Sequence, residues 1–288
     1  MPFETTALVL QDPTTPNALL FLGLLGLIVG FLSGLLGIGG GLQMVPGLIL
    51  IPPALLGGDL VSIQAATGIA AVQALASSIS STYVHIRNKA MKKRLVLLFG
   101  VPSVLGACVG AYFSATWSRS LILSILMIAL TATLALGVRK YLQVVFHKNV
   151  EEIHEFITDF NLLWQKWWLI VPFSTAIGGL AGIVGMGGAV FLVPFMTEVL
   201  KMPVRQAMIT GTGVVILTSL GTVLGKSQAH VVPWKLALGI SAIAFVGGWL
   251  GAKAQAKLHN KHLRLLHLLL VTWAMIETLR KIFGSYTN

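Results

Sequence analysis

The stretch SGLLGIGGG at residues 33–41 decides the fold, because it interrupts a long apolar run that then resumes. The same order of residues recurs as AGIVGMGGA at 181–189, which pairs Gly37 with Gly185. Each stretch is followed five residues later by a proline. Consecutive glycines weaken a helix by about 1 kcal/mol each relative to alanine. Both stretches therefore predict a break between two helical segments, and their repetition indicates an internal duplication.

Two further matches support the duplication. Thr67-Gly68 resembles Thr210-Gly211, and Gly110-Ala111 resembles Gly251-Ala252. These pairs follow the two breaks in the same order along the chain. The sequence is therefore expected to contain two related halves.

The composition indicates an integral membrane protein. Hydrophobic residues make up 56% of the chain and charged residues 10%, whereas a soluble domain carries about 25% charged residues. The net charge of +11 would suggest nucleic acid in a soluble protein. Here the cations cluster between apolar runs, as at 87–94, which is typical of cytoplasmic loops. The lipid bilayer is the expected partner, and nucleic acid is not.

The lengths of the apolar runs limit the topology. A helix that crosses the hydrocarbon core needs about 20 residues, and the runs at 42–56 and 189–200 are shorter. Residues 17–50 as one helix would measure about 51 Å, against a core of about 30 Å. The apolar runs lie at about 17–36, 42–56, 60–86, 95–115, 121–143, 167–184, 189–200, 204–225, 235–257 and 263–283.

Two topologies fit these runs. Each broken stretch crosses once, which gives parallel repeats, or each returns to its starting side as a hairpin, which gives inverted repeats with the N-terminus outside. The inverted arrangement places more of the 20 Lys and Arg residues inside. Equivalent loops also have opposite charge bias. Repeat 1 is rich in cations at 87–94 and poor at 112–120, whereas repeat 2 is poor at 226–235 and rich at 253–264. The predicted fold is an all-α integral membrane protein with two inverted repeats of about five helical segments each, and glycine-broken hairpins at the start of each repeat.

The chain divides into four predicted regions. Residues 1–16 form an N-terminal extracytoplasmic segment, and their lack of Lys and Arg indicates that the first apolar run is retained as a span. Transmembrane repeat 1 covers 17–143 and repeat 2 covers 167–288. Between them, 144–166 places apolar residues on one helical face and acidic residues on the other. This pattern predicts an amphipathic linker helix at the cytoplasmic interface.

The breaks are the predicted substrate site. Broken backbone persists at membrane depth only where protein or a wet cavity covers it, and the N–H groups that begin a helix bind anions. Hydroxyls and amides can donate to an oxyanion as well, although each of them could instead bind a neighbouring helix. The predicted substrate-binding residues are Gly39, Gly40, Gly41, Gln43, Gln73, Ser77, Gly187, Gly188, Ala189, Thr210 and Thr212.

Several other chemistries are not expected. The apolar runs lack interior carboxylates, which argues against a cation carrier. Cys108 is the single cysteine, and His259, His262 and His267 have no Cys or carboxylate to complete a metal site. The chain contains no P-loop, dinucleotide fingerprint or hydrolase signature. We therefore expect no metal, no cofactor and no enzymatic activity.

The two glycine breaks, the Thr-Gly segments and the turn QAHVVPW at 228–234 together resemble the sulfite exporter TauE/SafE family, over nearly the whole chain. One departure is Ala189 in the second break where the first has Gly41. The resemblance implies a multi-pass carrier in the inner membrane that exports small sulfur-containing anions, such as sulfite or organosulfonates, by alternating access. An anion channel and a non-transporting membrane receptor remain alternatives. Assembly as a homo-oligomer is left open.

Overall fold

The computed structural model describes residues 16–56, 61–118 and 160–284, together with part of 120–138. Within 120–138 the described residues are helical, with gaps at 123, 126, 129, 132, 133, 136 and 137. No β-strand element occurs in the described ranges. The all-α prediction is therefore confirmed. The N-terminal segment and most of the linker helix lie outside the described residues.

Besides the helical residues of 120–138, ten α-helices have defined bounds in the described part of the chain. Six of them, α1, α3, α4, α6, α8 and α9, are long and apolar enough to cross a membrane. The helices are α1 (Pro16–Leu36), α2 (Gly41–Leu56), α3 (Ile63–Arg87), α4 (Lys93–Ser114), α5 (Phe160–Trp164), α6 (Trp167–Val184), α7 (Ala189–Pro194, continued by a π-helix at Phe195–Val199), α8 (Val204–Gln228), α9 (Trp234–Lys257) and α10 (Asn260–Gly284).

Local sequence explains where these helices begin and end. Helix α3 begins after Ser62, whose side chain accepts a hydrogen bond from the N–H of Ala65 (3.3 Å). Helix α6 ends at Gly185, which adopts a left-handed conformation and donates its N–H to Ala181 O (2.7 Å). The glycine breaks predicted from the sequence therefore act as true helix ends.

Helices from the two halves pack against each other. Helix α1 lies along α9, and α4 lies along both α6 and α8. Helix α3 packs on α8 and α9. The most buried spans are α3 and α8, in which 78% and 72% of the most apolar stretch is buried inside the protein. This pair therefore forms the centre of the described structure.

The helix bounds correct one repeat match. Helices α3 and α8 have equal lengths, and they begin at Ile63 and Val204. The same offset relates the starts of α4 and α9, at 93 and 234, and it also relates Gly110 to Gly251. Applied to Thr67, this offset leads to Met208 rather than to Thr210. The match of Thr67 with Thr210 is therefore wrong by two positions.

Glycine allows the closest contacts between the halves. Gly178 of α6 packs directly on the backbone of α4, where an added Cβ would lie 2.8 Å from Ser103 Cα. The Ser103 hydroxyl also donates to Ser174 O across this interface (3.0 Å). Small residues are what permits membrane helices to approach this closely.

Gly178→Ala is expected to destabilise the protein by about 1–3 kcal/mol, because the added methyl group has no room against the α4 backbone. The matched control is Gly239→Ala on an exposed face of helix α9, where an added Cβ meets nothing within 4 Å. Alanine is the better helix former, so the control should keep or raise stability. Thermal unfolding in detergent measures both variants. Equal melting temperatures for the two would contradict the close contact.

Candidate functional site

Both breaks have the same backbone geometry. Three glycines in each break adopt positive φ, in the left-handed region that only glycine occupies without strain. The φ angles are 68°, 88° and 69° at Gly37, Gly39 and Gly40, and 78°, 72° and 79° at Gly185, Gly187 and Gly188. The repeated sequence therefore forms a repeated local structure.

The two breaks contact each other. A Cβ on Gly41 would lie 2.5 Å from Met186 Cα, and one on Gly39 would lie 3.0 Å from Met186 O. Val215 of α8 touches both breaks, since its Cγ1 would lie 2.8 Å from a Cβ on Gly39 and 2.7 Å from one on Gly187. Helices α2 and α7 consequently begin next to one another. Every residue of 33–41 and 181–190 is buried.

Several backbone N–H groups in the breaks have no internal acceptor. In the described structure no hydrogen bond engages the N–H of Gly39, Gly40 or residues 187–189. Gly41 is different, because its N–H donates to Gly39 O (2.8 Å). The N–H of Gly41 is thus engaged within the break, and substrate binding at Gly41 stays a prediction. Buried N–H groups are nearly always paired, so the unpaired ones are candidates for a ligand.

Gln73 and Ser77 of α3 lie at the first break, as predicted. A Cβ on Gly40 would lie 2.9 Å from both terminal atoms of the Gln73 amide. Gln73 Nε2 donates to Ser77 Oγ (3.3 Å), which is 2.9 Å from Ser33 Oγ. All of these side chains are buried, and Gln73 Oε1 has no hydrogen-bond partner among the described residues. The cluster presents a polar surface to Gly40.

Gln43 lies in the first turn of α2, directly after the first break. Its side chain is 2% exposed, and neither Oε1 nor Nε2 has a hydrogen-bond partner among the described residues. A buried amide without partners costs about 1–3 kcal/mol. The equivalent residue of the second break is Phe191. Gln43 is therefore the least satisfied of the predicted site residues.

The two predicted threonines of α8 have different surroundings. Thr212 Oγ1 donates to Met208 O (3.0 Å) and would lie 2.6 Å from a Cβ on Gly37, so it reaches the break of the other repeat. Thr210 is buried, and its hydroxyl accepts a hydrogen bond from Gln206 Nε2 (3.4 Å). Thr212 thus belongs to the first break, although it lies in the second half of the chain.

Thr218 and Ser219 contact the second break, and they are absent from the predicted set. Thr218 Oγ1 donates to Gly187 O, and a Cβ on Gly187 would lie 3.3 Å from Ser219 Oγ. Ser219 Oγ has no hydrogen-bond partner among the described residues. Val215, Thr218 and Ser219 are spaced three and four residues apart, so they share one face of α8. The sequence shows this spacing, but it does not show which face of α8 meets the break.

The structure also corrects the position of Lys226. The charge pattern assigned Lys226 to the cation-poor loop at 226–235, but it lies in the last turn of α8 and is fully buried. Its Nζ donates to Ser114 Oγ (2.9 Å) and to Ile183 O (3.4 Å).

Among the described residues, no group of three His, Cys, Asp or Glu side chains could hold a metal ion.

Six long apolar helices together with two buried helix breaks define a multi-pass membrane protein. Paired helix breaks of this kind are where transporters place their substrate sites. A protein-family model described as "Sulfite exporter TauE/SafE" matches residues 22–278. The chain belongs to this family and is a membrane transporter.

Curated relatives carry matching names. The chain is 29% identical over 245 residues to the probable membrane transporter protein YunE of Bacillus subtilis, covering 82% of this chain and 88% of the relative. It is 27% identical over 253 residues to a probable membrane transporter protein of Methanocaldococcus jannaschii, covering 84% and 88%. These names are those of transporters rather than enzymes. No solved structure matches the chain.

Proposed function

We propose that the protein is a secondary transporter of the inner membrane that exports small sulfur-containing anions, such as sulfite or organosulfonates. The anion would bind between the two glycine breaks, and alternating access would carry it across. The observation that carries this proposal is the contact between two buried breaks, in each of which some backbone N–H groups have no hydrogen-bond acceptor among the described residues. The description of the family supports the cargo class, and the site chemistry supports an anion.

The breaks offer donors suited to an oxyanion. Helix α2 and the helical segment Ala189–Val199 begin side by side at the breaks, and the N-terminal end of a helix carries partial positive charge. The polar side chains described around them are amides and hydroxyls, at Gln43, Gln73, Ser77 and Thr212. Such groups donate hydrogen bonds to an anion without the cost of burying a charged side chain.

Inverted repeats with hairpin breaks are part of this proposal. A Cβ on Gly47 of α2 would lie 2.7 Å from Leu25 Cδ1 of α1. In one continuous helix these residues would be about 33 Å apart, so the contact supports a chain that folds back at the break. The packing of α1 on α9 and of α6 on α4 supports repeats related by a two-fold axis, since α1 corresponds to α6 and α9 to α4, which makes the two pairs equivalent to each other.

Burial of both breaks supports alternating access. Every residue of 33–41 and 181–190 is closed off from solvent, so an anion can reach the site only if helices around it move. Rocking of one repeat against the other would open the site first to one side and then to the other. Helices α3 and α8, which hold Gln73, Ser77 and Thr212 at the breaks, would form the interface that rearranges.

The test is flux of sulfite and a panel of sulfonates in proteoliposomes, with and without an imposed pH gradient. We expect saturable flux that responds to the gradient, with protein-free liposomes as the baseline. Flux that never saturates would identify an anion channel instead, and binding without flux would identify a receptor. Folded protein that moves no sulfur anion would overturn the proposed cargo.

A further inference from the structure

Lys226 is a buried cation whose described partners are neutral. It is 0% exposed, and its Nζ contacts the hydroxyl of Ser114 and the carbonyl of Ile183. Among the side chains that the structure describes, no carboxylate lies within ion-pair distance of it. Buried charges are normally paired, because removing them from water is costly. The described protein therefore leaves the charge of Lys226 without an anion.

A polar face of α8 connects Lys226 to the second break. Thr218, Ser219, Thr222 and Lys226 follow one another at intervals of one to four residues, and each is at most 1% exposed. Thr218 donates to Gly187 O at the break, and Ser219 Oγ is unpaired beside it. From Thr218 to Lys226 the helix rises about 12 Å. The face therefore leads from the break to the end of α8.

Helix α3 carries the equivalent face. The shift that superimposes the starts of the two helices, from 204 to 63, relates Thr218, Ser219, Thr222 and Lys226 to Ser77, Ser78, Ser81 and His85. All four residues of α3 are also buried. The same shift relates Ser114 to Gln255. Gln255 and His85 are both buried, and Nε2 of each has no hydrogen-bond partner among the described residues. In each repeat the buried polar face thus ends at a side chain that carries a nitrogen, which is a histidine on α3 and a lysine on α8.

Lys226 also touches the helix that leads into the second break. Ile183 is the next-to-last residue of α6, and Gly185 begins the break. The lysine therefore lies beside the end of α6, where helix carbonyl groups partly offset its positive charge. These carbonyls are dipoles and carry no net charge, so they do not neutralise the lysine.

We propose that Lys226, together with Ser114, forms a second anion-binding position, which the transported oxyanion occupies between the second break and the end of α8. This inference rests on the proposed function for the identity of the anion, and it adds a binding position that the breaks do not provide. The ammonium group donates charge-assisted hydrogen bonds to the oxyanion. Its described partners, one hydroxyl and one carbonyl, leave one of its three protons for the ligand.

The test is anion binding by the purified full-length protein in detergent, followed as the rise in melting temperature with sulfite, methanesulfonate, sulfate or phosphate. Lys226→Met is expected to weaken the apparent affinity at least about tenfold for every anion that stabilises the natural protein. Lys226→Arg keeps the charge and should lose less. The matched control is Lys235→Met, which removes the same charge from an exposed position and should leave the affinity unchanged.

A purely structural lysine would give a different result. If Lys226 only caps α6, Lys226→Met would lower the melting temperature without anion and leave anion affinity unchanged, which overturns the proposal. A natural protein that no anion stabilises overturns it as well. Should Lys226→Met fail to fold, Ser114→Ala decides, since weaker anion affinity supports the proposal and unchanged affinity overturns it.

The outcomes separate this inference from the proposed function. Stabilisation by sulfate or phosphate that depends on Lys226, without flux of any sulfur anion, overturns the cargo and supports the binding position. Sulfite flux with an affinity independent of Lys226 supports the cargo and overturns the binding position.

Discussion

Gln43→Leu is expected to lower sulfite flux at least about tenfold while keeping or raising the stability of the protein. The opposite directions follow from one observation. The Gln43 amide is buried and has no hydrogen-bond partner among the described residues. An unpaired buried amide destabilises the folded state by about 1–3 kcal/mol, so a leucine of similar size removes that cost. Loss of the amide also removes a donor from the proposed anion site.

The matched control for Gln43 lies in the other repeat. Phe191 takes the equivalent position after the second break. Phe191→Leu therefore introduces leucine at the matching position of the other repeat without removing a polar group. We expect Phe191→Leu to retain most of the flux, and Gln43→Asn to recover part of what Gln43→Leu loses. Proteoliposome flux and melting temperatures in detergent measure both properties. Lower stability with unchanged flux in Gln43→Leu would show that the amide serves folding alone.

Gly40→Ala is expected to reduce flux at least about tenfold, and by more than Gly188→Ala does. Both glycines have positive φ, at 69° and 79°, so alanine adds similar backbone strain of about 1–2 kcal/mol at each. Their surroundings differ, however. The new Cβ at Gly40 would lie 2.9 Å from both terminal atoms of the Gln73 amide, whereas at Gly188 it would lie 3.1 Å from Ala181 Cβ. Only the first substitution displaces a predicted donor.

Melting temperatures separate strain from function in this pair. The two variants should lose comparable stability, so a larger loss of flux in Gly40→Ala reports the displacement of Gln73. Gly239→Ala, on an exposed face with no neighbour within 4 Å, is the control for glycine replacement as such. If leucine could replace both Gly40 and Gly188 with flux unchanged, the breaks would not be the substrate site.

The membrane class, the breaks and the duplication could be predicted from the sequence because they depend on local properties. Apolar composition and run length determine which segments can cross a bilayer. Clustered glycines favour the end of a helix, and three glycines in each break adopt positive φ in the structure. The polar residues of α3 were also predictable, since Gln73 and Ser77 are one helical turn apart on one face.

Contacts between distant helices were not predictable in this way. Thr212 lies in the second repeat and reaches Gly37 of the first, while Thr218 and Ser219 reach Gly187. Because Lys226 is charged, the sequence suggests a loop position for it. In the structure α8 continues past Lys226, and residues of α4 and α6 contact its side chain. Which face of α8 meets a break depends on how α3, α4 and α8 pack together. Hydropathy and glycine spacing describe each helix alone, so the partners of a buried polar side chain emerge only when helices far apart in the chain come into contact.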